Sequence, residues 1–149
     1  MMNLYEKSKA ANLFQLAEGR IYQEQNFKKL KMTVLIVDDS PLILTKITEL
    51  LEDVEAITTL KTCGSYARAV QYFETYKPKI ALLDINLPDK SGIELLQYVK
   101  STAPDTTVIM LTNQSSDYYR RLCFNKGADY FLDKSQDFDN IPSILTSLS

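Results

Sequence analysis

Three aspartates stand at the ends of two apolar runs: Asp38 and Asp39 follow VLIV, and Asp84 follows IALL. Short runs rich in Val, Ile and Leu, separated by helix-length stretches, read as buried parallel strands. Open parallel sheets bind ligands just beyond the carboxyl ends of their strands, so these carboxylates are expected to converge at one sheet edge. Two carboxylates about 4 Å apart repel by roughly 4 kcal/mol at an effective dielectric of about 20. Gathering three therefore calls for a cation or for protonation of one acid. Thr112 directly follows the run TTVIML, and Lys134 lies just past ADYFL, which brings a hydroxyl and an ammonium to the same edge. Three carboxylates suit a hard cation such as Mg²⁺, which prefers oxygen ligands and keeps several waters. The hydroxyl and ammonium suit an anionic phosphoryl group. A carboxylate beside Mg²⁺ can accept such a group as an acyl phosphate.

The elements that must place these groups can be read in turn. TVLIV (33–37) predicts a first strand. Ser40 then caps a helix with Pro41 at its first position, and Ile43, Ile47, Leu50 and Leu51 form its apolar stripe. AITTLKT (56–62) predicts a second strand, more polar and therefore at an edge. Residues 65–76 predict a helix that turns Ala69, Val70 and Phe73 inward and ends before Lys77-Pro78. KIALL (79–83) is the third strand. Ser91 and Glu94 form a capping box for a helix that buries Leu95, Leu96 and Val99. TTVIML (106–111) is the fourth strand. Ser115 or Ser116 opens a helix through Lys126, with Gly127 stopping it. ADYFL (128–132) is the fifth strand, and a last helix over about 140–148 aligns Ile141, Ile144, Leu145 and Leu148. This alternation predicts a doubly wound, flavodoxin-like α/β fold with five parallel strands in the order 2-1-3-4-5. Its switch point lies between the first and third strands, the two that end in aspartates.

Composition narrows the chemistry further. A chain of 149 residues fits one domain plus an appendage. Its net charge of −2 argues against a nucleic-acid surface. Cys63 and Cys123 have no metal-type spacing and read as buried, reduced thiols of a cytoplasmic protein. No apolar stretch approaches the ~20 residues that span a bilayer, so membrane insertion is not expected. The absence of histidine excludes a phosphohistidine carrier, a Ser-His-Asp triad and a His-ligated metal within this sequence.

The segments VLIVDDS, ALLDINLPDKSG, MLTN and GADYFLDKS, in this order and spacing over residues 33–149, resemble the response-regulator receiver domains of two-component signalling. The resemblance implies a role for each matching position. Asp84 corresponds to the phosphoacceptor and Asp39 to the direct metal-ligand acid. Asp38 corresponds to the acid that holds the metal mostly through water, and Asn86 to the position whose backbone carbonyl is a ligand. Thr112 corresponds to the hydroxyl that contacts the phosphoryl oxygen, and Lys134 to the lysine that pairs with it. Phe131 occupies the aromatic switch position, with Tyr130 a second aromatic beside it. The implied cofactor is Mg²⁺, and the implied phosphodonor is a sensor histidine kinase or phosphotransfer protein. A downstream protein partner would read the surface that includes Tyr118, Arg120, Arg121, Tyr130 and the residues after Lys134.

Two positions depart from the family. Ser135 follows the lysine where a proline in a cis peptide is usual, and a cis bond before serine costs about 2.5–4 kcal/mol. Asn113 follows Thr112 where a small Ala or Ser is usual. Three functions are therefore weighed. The first is a stand-alone receiver, expected because the sequence ends just after its fifth helix, which takes up and self-hydrolyses a phosphoryl group without an independent substrate. The second is a pseudo-receiver scaffold that binds partners without phosphorylation. The third, a Mg²⁺-dependent phosphatase or phosphotransferase acting on small molecules, would need an acid where Asn86 stands. Residues 1–31 carry a net +3 against −5 for the remainder, and are read as an extension to a receiver domain at 32–149. Within it Leu13, Phe14, Ala17, Ile21 and Tyr22 fall at helical spacing. They predict an amphipathic helix that packs on its own domain or on a second copy in a homodimer.

Overall fold

The computed structural model describes residues 32–113 and 115–149. The amphipathic helix expected within 1–31 lies outside the described residues. From Met32 onward, strands and helices alternate: β1 (Met32–Val37), α1 (Pro41–Leu51), β2 (Ile57–Cys63), α2 (Tyr66–Tyr76), β3 (Ile80–Asp84), α3 (Gly92–Thr102), β4 (Thr107–Thr112), α4 (Asp117–Asn125), β5 (Tyr130–Asp133) and α5 (Ile141–Ser147). A short 3₁₀ turn, Phe138–Asn140, leads into α5. The five strands form one parallel sheet in the order β2-β1-β3-β4-β5, as the sequence predicts.

The pleat sends alternate side chains to opposite faces. Leu35, Val37, Ala81, Leu83, Val108, Met110 and Phe131 pack with Ala69 and Phe73 of α2, Leu95, Leu96 and Val99 of α3, and Cys123 of α4. Val34, Ile36, Ile80, Leu82, Ile109, Leu111 and Leu132 pack with Ile47 and Leu51 of α1 and Ile141 and Leu145 of α5. This split of helices follows from handedness. The chain leaves β1 toward one edge, then returns across β1 to β3, β4 and β5. Right-handed crossovers in opposite directions put the connecting helices on opposite faces. β3 is buried at all five positions, whereas β2, at the edge, is buried only at Cys63.

Local signals set the helix starts. The Ser40 hydroxyl accepts from the Ile43 N–H, with Pro41 opening α1. Ser91 and Glu94 make both bonds of the capping box that begins α3. Ser116, the second of the two candidate caps, starts α4, and its hydroxyl accepts from the Tyr119 N–H. α4 ends at Asn125, and Gly127 at φ +104° makes the left-handed turn that leads toward β5. Each of these starts places a strand end and its following loop at the same rim of the sheet.

Candidate functional site

Asp38 follows β1, Asp84 is the last residue of β3, Thr112 the last of β4, and Lys134 the first after β5. Sheet pairing joins Asp84 to Leu111 and Thr112 to Asp133, so the four strand ends are level with one another. The structure brings together the three predicted acids. One carboxylate oxygen from each of Asp38, Asp39 and Asp84 lies within 4.8 Å of the others. Asp38 and Asp84 are buried, at 2% and 6% exposure, while Asp39 faces solvent.

Lys134 is buried as well and enters this cluster directly. Its ammonium is hydrogen-bonded and ion-paired to Asp38 Oδ2 and lies 3.3 Å from Asp84 Oδ2. Asp38 Oδ1 accepts from the Ser40 N–H at 2.9 Å, so one carboxylate serves both the helix cap region and the lysine. The Asp84 carboxyl is pushed above its ordinary value, first by burial and then by the Asp38 charge, with Lys134 offsetting part of the rise. Asn86 is exposed, and its backbone N–H donates to Asp84 Oδ1 at 3.4 Å. Gly92 packs directly on the backbone of Asp84: a Cβ there would sit 1.8 Å from the Asp84 carbonyl oxygen. The residue at position 92 has to be glycine for β3 and α3 to approach this closely.

An all-oxygen donor set on one open side of the cluster matches what hard divalent cations take. Asp38, Asp39 and Asp84 therefore form a pocket able to hold such an ion.

The β4–β5 side is organised differently. Thr112 is fully buried, and its backbone carbonyl accepts from the Lys134 N–H at 2.9 Å. The peptide after Lys134 is trans, since no cis bond occurs among the described residues. Asp133, which the sequence did not single out, takes over the loop: its carboxylate accepts from the Ser135 N–H at 2.7 Å and from the Ser135 hydroxyl at 2.6 Å. The Ser115 hydroxyl bonds the same carboxylate, and together these donors hold Asp133 below the ordinary carboxylate range. A proline at 135 has no N–H for this arrangement. Its one sequence signal is local: an aspartate two residues before a serine is a common side-chain-to-backbone turn.

Asn113 is exposed at the rim beside Thr112. Phe131 is buried on the α2–α4 face, and the Arg120 guanidinium lies 5.0 Å from its ring centroid. Tyr130 packs toward the opposite face. The two cysteines are buried and free, and burial pushes both thiols up to about 11, which leaves them unreactive. No helix among the described residues is long and apolar enough to cross a membrane.

The response regulator receiver domain family matches residues 34–146. The chain belongs to this family. The receiver domain is 32% identical over 112 residues to the DNA-binding transcriptional activator EvgA of Escherichia coli, covering 74% of this chain and 53% of that protein. The chain thus spans about half the length of the curated relatives it matches. Among solved structures, the beryllofluoride-activated DrrB receiver domain superposes with a TM-score of 0.72 at 28% identity, covering 79% of this chain and 97% of that one. A CheY-like receiver domain protein from Methanospirillum hungatei superposes with a TM-score of 0.71 at 28% identity, covering 79% and 94%. The receiver domain has the five-stranded order and two-sided helix packing that the sequence predicts.

Proposed function

We propose that this receiver domain is a phosphorylation-controlled switch in which Asp84 accepts a phosphoryl group from a partner phosphohistidine. The observation that carries this reading is the burial of Asp84 among two further carboxylates and the Lys134 ammonium at one rim of the sheet. In the proposed step an Asp84 oxygen attacks phosphorus and the phosphorus–nitrogen bond breaks. The electron pair leaves with the imidazole, and an acyl phosphate forms. Asp38, Asp39, Asp84 and the Asn86 carbonyl would hold Mg²⁺, which when bound supplies charge neutralisation for the phosphoryl oxygens. Lys134 would move from Asp38 toward the new phosphoryl oxygen, and Thr112 would donate its hydroxyl to another. Phe131 would then turn into the space Thr112 leaves. Later attack by water at phosphorus would return Asp84 to a carboxylate, with no independent substrate.

In this reading residues 32–149 form the switch and 1–31 an extension. The phosphodonor is a sensor histidine kinase or phosphotransfer protein in the cytoplasm. The signal passes to a protein partner at the surface carrying Tyr118, Arg120, Arg121 and Tyr130. A pseudo-receiver reading draws on a different observation: Lys134 already pairs with the buried Asp38 and balances charge without phosphate. One experiment separates the two. Incubation with Mg²⁺ and acetyl phosphate should give a labile adduct at Asp84 by mass spectrometry, and Asp84→Asn should give none. An unmodified wild-type protein under saturating donor favours the scaffold, and phosphate on another residue of Asp84→Asn sinks the switch.

A further inference from the structure

The loop between β3 and α3, which carries Asn86, is tied at both ends. At its far end Gly92 donates its N–H to the Ile85 carbonyl at 2.7 Å and packs on the Asp84 backbone. Before that, the Asp89 carboxylate reaches across to α2, accepting from the Tyr66 N–H at 2.9 Å and from the Ala67 N–H at 3.0 Å. It also accepts from the Lys90 N–H at 3.0 Å, and the Lys90 ammonium lies 4.8 Å from the Tyr66 ring centroid. The two α2 amides, Ala67 first, hold the Asp89 carboxyl below its ordinary range. Helix capping alone does not require this contact, because Ser65 already caps α2 from within by accepting from the Arg68 N–H at 3.2 Å.

The segment that Asp89 grips is itself joined to the other acids. The Asp38 N–H donates to the Cys63 carbonyl at 3.0 Å. A Cβ on Gly64 would touch the Asp38 carbonyl oxygen at 3.6 Å and Asp39 Cα at 3.7 Å, so the Gly64 backbone runs close beside both residues with room for a side-chain carbon between them. Three loops therefore form one brace: Asp38 and Asp39 after β1, Cys63 to Ala67 after β2, and Asn86 to Asp89 after β3. We propose that Asp89 is a positioning residue of the acidic site, a strap that sets how far the Asn86 loop stands from Asp38 and Asp39. The proposal rests on the reading of that cluster as a Mg²⁺ site. Mg²⁺ demands near-octahedral geometry at short distances, so releasing one side of the brace weakens binding even with every carboxylate in place. Outer supports of this kind typically change metal affinity by 10–100-fold, and about tenfold is expected here.

The test titrates Mg²⁺ alone into the full-length chain by calorimetry, with thermal unfolding followed in parallel. Asp89→Ala should weaken the Mg²⁺ Kd about tenfold, and Asp89→Asn, whose amide oxygen still accepts an α2 N–H, should recover most of it. Lys100→Ala, which removes bonds to the Thr106 carbonyl and the Asp129 carboxylate at the far end of α3, should lower the thermal midpoint while leaving Kd unchanged. Hydrogen exchange on the wild-type protein gives a second readout free of any variant. Because coupling is reciprocal, saturating Mg²⁺ should slow exchange at the Tyr66 and Ala67 amides. An Asp89→Ala protein that melts earlier but binds Mg²⁺ as wild type does overturns the strap alone, as does Mg²⁺-independent exchange at those amides. A wild-type protein that binds no Mg²⁺ overturns the strap and the underlying site together.

Discussion

The two halves of the site are built by different means. On the β1–β3 side, the charges ride on strands buried at nearly every position, and the backbone holds them directly. The Asp38 N–H is bonded to Cys63, and Gly92 is pressed onto the Asp84 peptide. On the β4–β5 side Thr112 is equally deep but β5 ends half-buried at Asp133, and side-chain bonds tie the loops beyond them. Asp133 gathers Ser115 and Ser135 where the family uses a proline. Lys134 belongs to both, rooted after β5 and paired with Asp38 and Asp84. Backbone packing tolerates little substitution, whereas exposed side-chain bonds are individually weak and exchangeable. The half that gathers the three acids is the one tied by backbone contact, and the two departures, Asn113 and Ser135, lie in the other.

The sharpest way to break this comparison is Gly92→Ala. Its Cβ would meet the Asp84 carbonyl oxygen at 1.8 Å and Ile85 Cα at 2.9 Å, with no flexible side chain to yield. A loss of about 3 kcal/mol or more is expected in urea denaturation. Wild-type stability would remove the argument that backbone contact holds the acidic half. Next in size is Lys134→Ala, which leaves Asp38 and Asp84 buried without their cation. The metal-free protein should lose about 3 kcal/mol, and saturating Mg²⁺ should return part of it. A loss of the same size with and without Mg²⁺ would mean that the lysine does not answer the acids' charge.

Acid titration should separate the halves by sign. The folded Asp84 carboxyl lies above the ordinary value of 3.8, so between 3.8 and that raised value the folded state keeps a proton that the unfolded chain releases. Metal-free stability therefore falls as pH rises through this window, and Asp84→Asn should abolish that fall. The folded Asp133 carboxyl lies below 3.8, so its contribution is present above 3.8 and disappears as pH falls through its folded value. Asp133→Asn should flatten that acid limb. Wild-type-minus-variant stability differences whose slopes against pH have the same sign for the two substitutions would contradict the assignment. The smallest effect is expected from Ser135→Pro, which deletes the N–H that Asp133 accepts at 2.7 Å. A small loss of stability with unchanged Mg²⁺ affinity would confine position 135 to the loop, and weakened Mg²⁺ binding would show that the halves are coupled.

Much of this architecture is legible in one dimension because its causes are local. Apolar runs, a Ser-Pro start at 40–41, the Ser91–Glu94 box and Gly127 act within four residues of themselves, and the structure has each in place. Strand order follows from the same alternation through the handedness of crossovers. That Asp38, Asp39 and Asp84 share one rim was therefore contained in the sequence. Strand ends were less so: KIALL at 79–83 became Ile80–Asp84, and Thr112 closes β4 rather than following it. Those limits come from pairing across the sheet, Asp84 with Leu111 and Thr112 with Asp133, which no local pattern encodes. Lys134 meets Asp38 across 96 positions, and Asp89 meets Tyr66 and Ala67 across 23 and 22. Arg120 lies over Phe131 because α4 packs beside β5. Local chemistry determined which groups reach the rim. Which of them touch was decided only in the fold, because side-chain partners at the rim are chosen by loop approach and burial, and neither has a sequence period.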